Sequence, residues 1–259
     1  MDASEAEAET EAPPLDDDTV SETLGPGDPN GIITGNGAHP LTPDLLNLWA
    51  PIASSLTLGP LTPLAIELSD VLDVLDGRTF IEYAVKCALP AGKSLVVNYL
   101  GATHTFAGHV GIAPEWQNQA LSESGRRWMS ACMLAHVNAT STPVTILLRG
   151  DHPSLKVPSG APTGAFSLRE GAFYGDIFGL IPEKFACVGA ATTPERMCTK
   201  NVSGLSPCGF VVPGHCRGSS SAACEGVSNG AYDTCHSKPI APASPSAAYE
   251  ETITVYLKP

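Results

Sequence analysis

Apolar positions along this chain change period several times, and each change marks an element. In LTPLAIELSDVLDVLDG (61–77), Leu64, Leu68, Val71, Leu72 and Leu75 recur at helical spacing, while Glu67, Asp70 and Asp73 fall on the other side. Thr62 and Pro63 suit a cap and first turn, and Gly77 suits a stop. RTFIEYAVKCALPAG (78–92) follows with a stripe of Phe80, Ala84, Cys87 and Ala88. Thr79 and Glu82 have capping-box spacing there, and Pro90 with Gly92 closes the segment. A third helix is predicted over SESGRRWMSACMLAHVNA (122–139). Ser122 caps it, Trp128, Cys132 and Ala135 form one row, and Met129, Met133 and Val137 form another.

Between these helices the period falls to two. KSLVVNYL (93–100), THTFAGHV (103–110) and PVTILLRG (143–150) read as turn-bounded strands. The closing YEETITVYLKP puts Ile253, Val255 and Leu257 on one face, the pattern of a last strand that returns into a core sheet. Together they predict an α+β fold: one domain, a mixed or antiparallel sheet, about three helices, and a Cys-rich, loop-dominated disulfide region. The expected division is a disordered acidic tail (1–30), an irregular Asn-Gly/Leu-Thr segment (31–60), and a domain over 61–259 containing a disulfide-rich insertion at 187–240.

Charge sharpens this division. The net charge of −13 is not spread evenly, because residues 1–77 hold 15 of the 27 acids and no Lys or Arg. The remaining 12 acids face 14 bases, a net of about +2. The domain therefore lacks the basic footprint of a nucleic-acid binder. No apolar run approaches the roughly 20 residues of a membrane helix. Met1 leads straight into DASEAEAETEAPPLDDD, which has neither a basic start nor an apolar stretch of the leader type.

The cysteines decide the compartment. Six of the eight (Cys187, Cys198, Cys208, Cys216, Cys224, Cys235) fall within 49 residues at spacings of 11, 10, 8, 8 and 11. Structural zinc sites use ligand pairs two to four residues apart, and no such pair is present. The surrounding sequence is rich in Gly, Ser and Pro and poor in large apolar residues. It therefore needs covalent closure to offset its chain entropy. Six cysteines allow 15 pairings; sequential pairing (187–198, 208–216, 224–235) is the simplest expectation. Cys87 and Cys132 sit in predicted helices and are expected to bridge them. An oxidising location, secreted or at the cell surface, follows, with a leader read as already removed.

Candidate chemistry is thin. Glu170, Phe173, Tyr174 and Asp176 in REGAFYGDIFG suggest a surface site, since two carboxylates beside aromatics suit sugar binding or hydrolysis. His104, His109 and Glu115 would make a metal-assisted alternative only if a turn brought them together, because an odd spacing puts the two histidines on opposite strand faces. Asp151 and His152 lack a partner nucleophile motif. Arg149-Gly150-Asp151 reads as a strand-end turn, and His136 as a core-edge or capping residue. Asn138-Ala-Thr140 and Asn201-Val-Ser203 have glycosylation spacing. No cofactor or metal motif is expected.

The word order EYAVKCALPAGKSLVV, TFAGHVGIAPEW, LSESGRRWMSACMLAHVNA, VTILLRGDH, EGAFYGDIF resembles a group of secreted, often lipid-anchored hypothetical proteins of myxobacteria. These carry Asn-Gly-Leu-Thr repeats ahead of such a segment, and NGIITGNG resembles the end of one. The resemblance implies export and cell-envelope association but no activity. The expected function is binding or a structural part in the envelope or extracellular space. Expected partners are an extracellular polymer, an envelope protein or another copy of the chain. A secreted hydrolase, carbohydrate-active or metal-assisted, is the alternative.

Overall fold

The computed structural model describes residues 31–35, 40–140, 142–190, 196, 198–200, 205–218, 222–240 and 246–259. The expected disordered tail lies outside them. The protein is an α+β domain built on a five-stranded antiparallel sheet in the order β1-β4-β10-β5-β6. Its strands are β1 (Ile32–Gly35), β4 (Thr145–Arg149), β5 (Leu168–Asp176), β6 (Glu183–Val188) and β10 (Ile253–Leu257). The last strand does return to the core. It lies between β4 and β5, and all five of its residues are buried.

Alternation along these strands serves two different cores. Ile146, Leu148, Phe173, Ala186, Ile253, Val255 and Leu257 face the helices α3 (Leu75–Ala88) and α4 (Glu123–His136). Ala172, Tyr174, Phe185 and Cys187 face a second cluster with Tyr232, Tyr249 and the cysteines 216, 224 and 235. The sheet is thus covered on both sides, so β5 and β10 are buried along almost their whole length. The stretch 211–215 runs beside β6, with bridges at Phe185–Val211 and Val188–His215, and shields that edge.

Local signals explain several elements. Ser122 caps α4 by accepting from Gly125 N–H at 3.0 Å. Strands β2 (Ser94–Tyr99) and β3 (Ala102–Ala107) form a hairpin turned by Leu100 and Gly101, both at positive φ. A second hairpin joins β7 (Cys224–Ser228) to β8 (Ala231–His236) through Asn229-Gly230, also both at positive φ. With β9 (Ala248–Tyr249) these strands make a three-stranded sheet, β7-β8-β9.

Four expectations are corrected. The segment 31–60 is not irregular: it supplies β1 and helix α1 (Pro43–Leu56), whose Leu46, Trp49, Ala53 and Leu56 join the core. The domain therefore extends back to at least Ile32. The single helix expected over 61–77 is broken into α2 (Pro63–Glu67) and a 3-10 turn at Val71–Asp73, with Asp70 at φ 53° between them. Its leucine stripe is not the buried face: Leu64, Leu68 and Leu75 are exposed, while Ile66, Val71 and Leu72 are buried. Gly77 does not stop a helix. It lies in the first turn of α3, where an added Cβ would sit 1.9 Å from the Val71 carbonyl oxygen. The Thr79 capping box is absent because α3 starts earlier, and Thr79 is buried within it.

The fourth correction concerns disulfide pairing. The bridges are Cys87–Cys132, Cys187–Cys216, Cys198–Cys208 and Cys224–Cys235, and no cysteine is free. The expected α3–α4 bridge and the 224–235 bridge are present. Cys187 does not pair with Cys198, nor Cys208 with Cys216. Cys187 is the penultimate residue of β6, and the segment alongside β6 brings Cys216 to it instead. By loop closure, the 45-residue separation at Cys87–Cys132 corresponds to about 4 kcal/mol, and a separation of 10 or 11 to about 3 kcal/mol. No helix among the described residues is long and apolar enough to cross a membrane.

Candidate functional site

The expected surface site is contradicted by burial. Glu170, Phe173, Tyr174 and Asp176 all lie in β5 and are at most 8% exposed. Phe173 packs edge-on against Phe210 toward the helices, and Tyr174 stacks on Phe185 on the opposite side. The two carboxylates are six residues apart along one strand, roughly 20 Å at ordinary strand rise. A glycosidase pair is separated by about 5–9.5 Å, so this pair cannot work that way.

Each carboxylate has a packing role. Asp176 meets Arg126 of α4 at 3.4 Å and accepts from Phe178 N–H. Glu170 sits where β5 carries one extra residue against β10, between the Val255–Gly171 and Tyr256–Arg169 pairs. It faces Arg196 at 3.3 Å, with both side chains essentially inaccessible. Arg196 also donates to the carbonyls of Ala135 and Val137, at 2.7 and 3.0 Å, where α4 ends, and lies over the Phe173 ring. Burial pulls the Arg196 guanidinium below its ordinary range, and Glu170 opposes that.

His104, His109 and Glu115 do not converge. His104 stacks on Phe106 in β3, while His109 donates from Nε2 to the Ile33 carbonyl and tethers β1. Glu115 is exposed on a 3-10 turn. Among the described residues, the groups close enough for metal ligation are Cys87/Cys132/His136 and Cys187/Cys216/Cys224. Every sulfur in them is already in a bridge, and ligation needs thiolate. His136 is not at the core edge but fully buried. Its Nδ1–H donates to Cys132 O at 2.8 Å, so Nε2 accepts from Thr34 Oγ1 at 3.1 Å. Burial, with Lys86 nearby, pushes its pKa down to about 3.

The remaining motifs are structural. Arg149 is buried and donates to the Ala161 and Pro162 carbonyls, so Arg149-Gly150-Asp151 is not presented as a tripeptide. His152 packs edge-on against Trp128 and accepts from Ser154 N–H. Asn138 is buried and donates to Thr142 O, which removes it as a glycosylation acceptor. Asn201 lies outside the described residues.

One polar constellation is absent from the sequence-level reading: Ser246, His236 and Glu225. His236 is on β8, the middle strand of the small sheet. On one side its N–H bonds Ala223 O, two residues before Glu225; on the other it pairs with Ala248, two residues after Ser246. Residues two apart on a strand share a face, so both neighbours lie diagonally beside the imidazole. His236 Nδ1 is 3.0 Å from Ser246 Oγ, and His236 Nε2 is 3.0 Å from Glu225 Oε1. The carboxylate can only accept, so Nε2 carries the proton and Nδ1 accepts from the serine hydroxyl. The Cys224–Cys235 bridge, on the opposite face, fixes the strand register beneath the chain of three. The Asn229-Gly230 hairpin signal locates β7 and β8, but nothing local in sequence brings Ser246 to them.

Comparison of the chain with protein-family models, with curated proteins and with solved structures finds no match.

Proposed function

We propose that this is an exported protein of the cell envelope or extracellular space that acts by binding or as a structural component. The observation that carries this reading is the set of four disulfides with no free cysteine. Disulfides persist in oxidising compartments and are rare in reducing ones. The bridges also hold a region that lacks a large core of its own, as expected for a domain exposed to an uncontrolled medium.

Burial of Glu170 and Asp176 in separate packing roles takes away the carboxylate-pair hydrolase and leaves the surface for contact. That surface includes Leu180 and Ile181 at the β5–β6 hairpin tip, 102% and 80% exposed. Exposed aliphatics grouped at a loop tip suit association with a partner more than solvation. The test is cosedimentation of the oxidised protein with insoluble peptidoglycan, cellulose and chitin, alongside thiol alkylation without reductant. Retention on one polymer, lost in Leu180→Ser/Ile181→Ser, supports the reading. Alkylation of native cysteines, or release of bound metal on denaturation, overturns it.

A further inference from the structure

We propose that Ser246 is the nucleophile of an acyl-transfer site, with His236 as its base and Glu225 as the residue that orients the base. This assigns an activity beyond binding, and it stands on the geometry of the small sheet alone. A serine hydroxyl is a weak nucleophile until a base within hydrogen-bond reach takes its proton, and a third group fixes the base's tautomer. Both relationships are present: Ser246 Oγ lies 3.0 Å from His236 Nδ1, and His236 Nε2 lies 3.0 Å from Glu225 Oε1, whose carboxylate forces the productive tautomer. The ring nitrogens are used in the opposite sense to the familiar serine proteases, which changes the approach direction but not the proton path.

A purely stabilising role accounts poorly for this arrangement. The Glu225 side chain is 57% exposed, so its contact with His236 contributes little to folding. His236, at 13% side-chain exposure, is held from both sides by backbone pairing and from beneath by the Cys224–Cys235 bridge. The imidazole is therefore fixed while the serine end stays open. Ala247 and Ala248 beside Ser246 are small and exposed, which leaves room for an ester to approach.

The substrate class is a carboxylic ester presented at an open surface. Ser246 Oγ attacks the carbonyl carbon and its proton passes to His236 Nδ1. The alkoxide leaves with that proton as the C–O bond breaks, giving an acyl-serine and an alcohol. Water then attacks the acyl-serine, losing its proton to His236, and the carboxylic acid departs as the serine regains its hydrogen.

The experiment treats the oxidised full chain with a fluorophosphonate probe and with p-nitrophenyl acetate. The expected result is a single covalent adduct on Ser246, absent in Ser246→Ala. Labelling should be slowed roughly a hundredfold in His236→Asn, the scale of a general base. Glu225→Gln, a change at an exposed position that cannot unfold the sheet, should slow labelling, and Glu225→Asp should restore most of the rate. A Ser228→Ala control, exposed at the far end of β7, should label normally. No adduct, an adduct elsewhere, or labelling at Ser246 that is indifferent to His236→Asn overturns the proposal. These outcomes are independent of polymer binding, so either reading can fail without the other.

Discussion

The Cys187 sulfur lies 3.4 Å from the Cys224 sulfur, although the two belong to different bridges. Cys187–Cys216 and Cys224–Cys235 are therefore packed as one buried sulfur cluster, and it forms the floor of the second core. This contact has a chemical consequence. If a reductant opens Cys224–Cys235 at Cys235, the Cys224 thiolate is left beside Cys187 and can displace Cys216. Non-reducing peptide mapping should give 87–132, 187–216, 198–208 and 224–235 in the oxidised protein. After limiting reductant, a 187–224 linkage should appear. A map showing 187–198 and 208–216 would contradict the fold.

The Glu170–Arg196 pair should be costly to break. Both side chains are inaccessible, and Arg196 also serves the carbonyls at the end of α4. Arg196→Met removes the cation from a buried pair and leaves those carbonyls without their donor. A loss of about 3–5 kcal/mol is expected, read from urea unfolding midpoints. A change below about 1 kcal/mol would mean that the pair is not buried in solution.

His136 makes the fold sensitive to acid. Its pKa is pushed down to about 3 by burial, while in the unfolded chain it is about 6.5. Between those values the unfolded state binds the proton and the folded state does not, so stability falls as pH drops through that window. The slope from this group approaches about 1.4 kcal/mol per pH unit. Unfolding free energies at pH 7, 5 and 4 should fall more steeply for the native chain than for His136→Gln. Parallel profiles would sink the assignment.

Gly77 tests the close contact of α3 with the turn before it. A Cβ there would meet the Val71 carbonyl oxygen at 1.9 Å, so Gly77→Ala must displace the helix start or the turn. A loss of about 3 kcal/mol is expected despite the better helix propensity of alanine. Gly92→Ala is the contrasting control: nothing lies within 4 Å of its added Cβ, and the cost comes only from its φ of 80°. Thermal unfolding of the two variants should rank them in that order.

Much of the architecture was legible from local chemistry. The Ser122 cap, the buried rows of α4, the strands β2 and β3 and the returning last strand all follow from period and turn residues over short windows. The α3–α4 bridge followed because both cysteines lay on apolar helical stripes. Helix α1 was missed despite a clear signal: Thr42-Pro43 has the same form as Thr62-Pro63, and Leu46, Trp49 and Ala53 keep helical spacing. The Asn-Gly rhythm around it masked the period.

The site was the least legible part. Glu170, Phe173, Tyr174 and Asp176 looked like a solvent-facing cluster because acids and aromatics alternate with glycines. Only the sheet on both sides of β5, and the arrival of Arg196, turned them into core. Ser246, His236 and Glu225 are separated by 10 and 11 residues and carry no motif. Their meeting depends on which strand lies in the middle of the small sheet.

By itself, then, the sequence determined what short-range forces decide: the helix and strand periods, the caps and turns, the polarity of the N-terminal charge, and the need for disulfides where apolar side chains run out. Tertiary structure alone decided which cysteines meet, which carboxylates are buried with a cation, and which serine reaches a histidine. Those outcomes rest on strand order and register. They are set by burying both faces of the β1-β4-β10-β5-β6 sheet at once, a condition that no local window of sequence contains.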